Sequence, residues 1–173
     1  LKDASGVEVL AHNETIMLKA GTKKDVSWDF TLETPHLWNG LEDPYLYTVS
    51  VHAGEDTAQT EVGFRYFSLD REKGFFLNGK EYPLRGVCRH QDWKGIGNAI
   101  TKEHHDIDMA MIREIGANTI RLAHYQHDQY FYDLCDRYGM VVWAEIPYIS
   151  EHMQCGRENT VSQMKELIVQ NYN

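Results

Sequence analysis

The stretch NTIRLAHYQHDQ, residues 118–129, decides how the chain is read. It is a short apolar strand that ends in Arg121 and His124 and then turns polar. The same grammar continues on both sides. Upstream, PLRGVCRH (83–90) reads as a strand from 83 to about 89. TKEHHDIDMAMIREIG (101–116) follows as a helix, with Thr101 as its N-cap and Gly116 as its stop. Ile107, Met111, Ile112 and Ile115 share one face of that helix. Downstream, HDQYFYDLCDRYG predicts a helix from Asp128 to Gly139. MVVWAEIP predicts a strand apolar enough to be covered on both faces. ENTVSQMKELIVQNYN begins a further helix capped by Asn159 or Thr160. The order βαβαβα demands a parallel sheet with right-handed crossovers.

Such a sheet is either doubly wound or the opening of an eight-stranded barrel. The first strand runs into GVCRHQDWKG (86–95), which is not G-x-G-x-x-G, so a nucleotide-binding sheet loses ground. Polar residues at successive strand ends favour the barrel, whose site is built on that face.

Residues 1–67 read as all-β. In DVSWDFTLE (25–33), Val26, Trp28, Phe30 and Leu32 alternate with polar residues, and YLYTVSVHA (45–53) repeats the pattern. ETIMLKAG (14–21) and TAQTEVGFRYF (57–67) are two further candidate strands. Four or five strands are fewer than the roughly seven of an immunoglobulin-like sandwich, which predicts a domain incomplete at its front. FFLNGKEYPL (75–84) is a hairpin with Asn78-Gly79 at its turn. The expected division is an N-terminally incomplete sandwich over 1–67, a linker and hairpin over 68–82, and the first three strand–helix units of a (β/α)8 barrel over 83–173.

Composition narrows the function. A net charge of −9, with 17 basic against 26 acidic residues, argues against a nucleic-acid surface. No apolar run approaches a membrane span of roughly 18–20 residues. Three cysteines without metal or redox spacing predict reduced thiols, one or two of them buried. The compartment stays open, cytoplasmic or periplasmic.

The strand ends carry the chemistry. The first offers Arg89, His90 and Asp92, the second Arg121 and His124, the third Glu145. Around a common mouth these groups, beside Trp93, Tyr125, Trp143 and Tyr148, suit a sugar: imidazoles and carboxylates bond hydroxyls while aromatic faces stack on C–H faces. Each residue also has a plainer account. Arg121 could simply pair with Glu145, His90 and His124 could be core histidines, and Asp92 could serve a turn before Gly95. His124 with His127, and the pair His104 and His105, are weak metal candidates, because their spacing does not aim them at one ion.

LRGVCRHQDW and NTIRLAHYQHDQYFYDLCDRYGMVVWAEIP resemble the first barrel strand and the signature segment of glycoside hydrolase family 2. PHLWNGLEDPYLYTV and VGFR resemble the end of the sandwich that precedes that barrel. The signature departs from the family at Leu122 and Gln126. Ile149 stands where large β-galactosidases place a magnesium-binding glutamate, so no metal is carried over, and Glu151 and His152 match that motif only superficially. The resemblance implies an exo-acting retaining β-glycosidase, with a β-galactoside as first substrate and a β-glucuronide as the alternative. Its acid/base and nucleophile glutamates are expected downstream of this chain, leaving it inactive alone. His90, Asp92, Arg121, His124 and Glu145 are the expected substrate-binding or supporting residues. The implied partner is a carbohydrate, with no nucleic acid, membrane or cofactor. A structural magnesium and a homo-oligomer in the parent are left open. A non-catalytic carbohydrate-binding or structural module is the rival function.

Overall fold

The computed structural model describes residues 1–151 and 153–172. Three small sheets succeed one another along the chain. The first pairs β1 (Tyr47–Ala53) with β2 (Asp56–Val62), antiparallel from Tyr47↔Val62 to Ala53↔Asp56. Lys2 adds a single bridge on the far side of β1 at Thr48. The second sheet comprises β3 (Phe67–Asp70), β4 (Gly74–Leu77) and β5 (Lys80–Glu81). Its β4–β5 turn is Asn78-Gly79, both residues at positive φ, as a two-residue hairpin requires.

The expected strands over 14–21 and 25–33 do not form. Trp28, Phe30 and Met17 are exposed, and the two stretches meet only through side chains, such as Trp28 Nε1 donating to Glu14 Oε2 at 2.6 Å. Period-two patterning marks a segment that can be a strand, but a ladder needs a neighbour and a face to cover. The 57–67 stretch breaks in two at Gly63, giving β2 to one sheet and β3 to the next.

The third sheet is the parallel one. β6 (Gly86–Arg89), β7 (Thr119–Leu122) and β8 (Val141–Ala144) lie side by side in chain order. Asn118 splints the entry to β6: its side chain accepts from Arg85 N at 2.7 Å and donates to Pro83 O at 2.8 Å. Two helices cover one face, α1 (Lys102–Glu114) and α2 (Gln129–Tyr138). Thr101 and His104 form a capping box at the start of α1, while Asp128 caps α2 through Tyr130 N and Gly139 closes it at φ 75°. α3 (Arg157–Gln170) begins after a short 3-10 turn with Gly156 as its N-cap. Thr160 therefore lies inside the helix and donates to Gly156 O at 2.9 Å, so neither expected cap residue caps it.

The core sits between the parallel sheet and α1–α2: Met109, Ile112, Ile120, Leu122, Phe131, Leu134, Cys135 and Met140 are buried together. Two expectations need correction. The buried face of α1 is His105, Met109 and Ile112, whereas Ile107, Met111 and Ile115 are exposed. β8 is covered on one face only, and Trp143 on the other is 66% exposed. No closed barrel forms from three strands, so the face that would line its interior stays bare. The N-terminal stretch nevertheless touches α2: Trp38 Nε1 donates to Asp136 O at 2.8 Å, and Gly139 lies against the backbone of Gly40.

Candidate functional site: the C-terminal end of the parallel sheet

Register decides which residues share a face. Cys88 pairs with Arg121 and Arg121 with Trp143, so these three form one row across the uncovered face. One residue on, Arg89, Leu122 and Ala144 form the next row, turned toward the helices.

Glu145, just past β8, is the centre of the cluster. Its Oε1 accepts from Arg121 Nε at 2.6 Å and from Trp143 Nε1 at 3.1 Å. Its Oε2 accepts from Arg121 Nη2 at 3.2 Å and from the backbone N–H of His124 at 2.6 Å. His124 Nδ1 stands 3.4 Å from Oε2. The Arg121 fork, followed by the His124 amide, holds the Glu145 carboxyl at about 2, and the fork's own bonds to Glu145, followed by the contact with Cys88, raise Arg121. Glu145 is thus a fixed anion that aims a cation and an imidazole. Arg121 Nη1 also reaches Cys88 Sγ at 3.8 Å.

His124 adopts φ 72°, the left-handed region that non-glycine residues rarely enter, and this marks a constrained site. The His90 ring lies 5.2 Å from that of His124 and 6.1 Å from Tyr125. The Tyr125 hydroxyl accepts from Gln91 N at 3.0 Å, while Gln91 Oε1 accepts from Asp128 N at 2.6 Å. Asp92 is exposed on the loop beyond, outside these contacts. Of the five expected site residues, the structure therefore joins Arg121, His124 and Glu145, sets His90 beside them, and leaves Asp92 apart.

The other candidate at the first strand end, Arg89, does not face the mouth. It is buried behind the sheet with His105 and His127. That arrangement also separates the histidine pairs. His127 goes to Arg89 and His124 to Glu145, while His105 goes to Arg89 and His104 to Thr101. Among the described residues no group of three or more His, Cys, Asp or Glu could hold a metal ion. The comparison with the magnesium motif at Glu151 and His152 lies partly outside the described residues, since it includes His152. Cys135 is buried and its thiol raised by that burial, whereas Cys88 and Cys155 are exposed.

The sequence reading missed Gln91, whose role depends on a backbone partner far along the chain. It also missed the direction of Arg89, although counting by twos from Cys88 would have turned it toward the helices.

Comparison with known proteins agrees with this architecture. The family model for the TIM barrel domain of glycosyl hydrolases family 2 matches residues 69–171, and the model for glycosyl hydrolases family 2 matches residues 1–65. The chain belongs to glycoside hydrolase family 2. It is 43% identical over 183 residues to a β-glucuronidase of Bacteroides fragilis, covering 97% of this chain and 26% of that protein. It is 37% identical over 150 residues to a β-galactosidase of Bacteroides ovatus, covering 84% and 18%. Among solved structures, one described as a putative β-galactosidase from Bacteroides fragilis superposes with a TM-score of 0.76 at 46% identity, over 83% of this chain and 22% of that one. The chain thus spans between about a fifth and a quarter of the length of these relatives.

Proposed function

We propose that the chain is part of a retaining exo-β-glycosidase and supplies one side of its sugar-binding rim. The observation that carries this reading is the Arg121–His124–Glu145 cluster at the C-terminal end of the parallel sheet, where barrel enzymes build their sites. His90 and His124 contact the sugar, and Arg121 supports a nucleophile carboxylate supplied from outside this chain. Asp92 binds a sugar hydroxyl once the mouth is complete. The division into sandwich (1–67), linker and hairpin (68–82) and barrel portion (83–173) is part of the same proposal.

For the substrate we place a β-glucuronide first and a β-galactoside second, reversing the order taken from sequence. Support comes from the relatives: those at 43% and 37% identity that match 97% and 100% of this chain are named β-glucuronidase and putative β-glucuronidase. The test is turnover of aryl β-glucuronide and aryl β-galactoside by the full-length parent. Hydrolysis with retained anomeric configuration is expected. A parent that turns over no aryl β-glycoside overturns the reading.

One observation favours a second reading. Glu145 is saturated with donors, so the rim as it stands can bind but has no carboxyl poised to transfer a proton. A non-catalytic carbohydrate-binding module would show sugar binding by the full-length parent without any turnover.

A further inference from the structure

Behind the mouth lies a polar group that the proposed function does not use. Arg89 is 5% exposed, His105 2% and His127 3%. The Arg89 guanidinium donates through Nε to Asp108 Oδ2 at 2.8 Å, through Nη2 to His105 Nδ1 at 3.0 Å and through Nη1 to His127 Nδ1 at 3.0 Å. Its Cζ lies 3.9 Å from the centre of the Phe131 ring. A buried cation with one carboxylate and two imidazole acceptors gains geometry rather than net stability, because desolvation offsets most of its attraction.

The geometry in question is that of one loop. The backbone carbonyl of Arg89 accepts from Ala123 N at 3.0 Å, and its side chain holds His127 four residues on. His127 Nε2 closes the ring on Ala123 O at 3.5 Å. Arg89 therefore grips both ends of the segment 123–127. The residue it arches outward is His124, in its left-handed conformation, with its N–H on Glu145. Burial and the neighbouring guanidinium lower His127 to about 4, so its ring is neutral and free to accept from Arg89 at neutral pH.

We propose that Arg89 is a positioning residue: by clamping Ala123 and His127 it forces the strained backbone turn that presents His124 to the sugar and its amide to Glu145. The link to sugar rests on the function proposed above, whereas the clamp itself does not.

The test compares the full-length parent with its Arg89→Lys and His127→Leu variants. Lysine keeps a charge for Asp108 but cannot reach both imidazoles, and leucine removes only the loop clasp. Amide hydrogen exchange is read over 123–128 against α1 and α2, together with kinetics on the aryl β-glucuronide or β-galactoside that the wild type hydrolyses. In both variants we expect exchange to accelerate about tenfold or more over 123–128, with the two helices unchanged. kcat/KM should fall by about 10²-fold, mainly through KM. Exchange unchanged over 123–128, or accelerated equally across α1 and α2, overturns the proposal, because a merely structural role gives that uniform pattern. If Arg89→Lys does not fold, His127→Leu decides alone. If exchange responds locally but the wild type hydrolyses no aryl glycoside, the clamp stands and the glycosidase reading falls.

Discussion

A carboxylate that accepts four hydrogen bonds has little left to offer a proton, and Glu145 is such a group. Its folded value of about 2 against an ordinary 4.5 means that its favourable contribution is complete above pH 4.5 and is lost as pH falls toward 2. Glu145→Gln should deprive Arg121 of its anionic partner and lower kcat/KM of the parent by about 10²-fold, without moving the acid limb of its pH–rate profile. A shifted acid limb would show that Glu145 itself titrates during turnover. Two groups elsewhere, one buried and one half-buried, oppose each other. His127, held at about 4, makes stability fall as pH drops from 6.5 toward 4. Asp136, raised by burial to about 6, makes stability fall as pH rises from 3.8 to 6. Each is worth on the order of 3 kcal/mol at most, so in the wild type they work against each other across this window. His127→Gln should leave stability declining as pH rises through that window, and Asp136→Asn should leave it declining as pH falls. Urea melts of each variant at pH 4 and 6 check the two signs.

At the scale of the element, α2 shows what local chemistry can announce. Asp128 caps it through Tyr130 N and Gly139 ends it, and both limits were legible because they depend on neighbours in the chain. The fit at Gly139 was not legible. A Cβ there would fall onto the backbone of Gly40, so the residue answers to a contact 99 positions away as well as to its φ of 75°. Gly139→Ala should destabilise the chain by about 2 kcal/mol or more, read as a lowered melting temperature, whereas Gly54→Ala meets open space and pays only for its backbone. α1 makes the complementary point. Its apolar residues were visible, but the face it buries also carries His105, bonded with Asp108 to Arg89, and an apolar pattern passes over such polar members. Ile112→Ala should cost about 2–4 kcal/mol and Ile107→Ala under about 1, as measured by urea unfolding. The missing strands over 14–21 and 25–33 failed for a related reason, since a ladder is a property of two segments and the pattern reports only one.

At the scale of the whole molecule, the stretch before the Asn78-Gly79 hairpin and the parallel sheet with its helices meet in a real contact. Trp38 reaches Asp136, and the Gly40 turn seats against Gly139, so the chain ahead of β1 and the end of α2 share a boundary. The barrel portion has one finished face and one bare face, the latter carrying Cys88, Arg121 and Trp143. Both β6 and β8 are edge strands of this sheet. An apolar, unpaired edge at Val141–Trp143 should make the 1–173 chain associate at micromolar concentration, which light scattering would detect. The same chain should show no glycosidase activity, and turnover by purified 1–173 would refute that.

The half-covered sheet also has a consequence in time. The contacts that finish its outer face are local, each helix folding back on a strand that immediately precedes it, so they can form while a longer chain is still leaving the ribosome. If a barrel closes over it, the bare face waits for partners synthesised later, at roughly 5–20 residues per second. In a parent of its relatives' length, Trp143 and its row would then be on view for seconds or longer, a window in which nascent chains could meet through that face before it is covered.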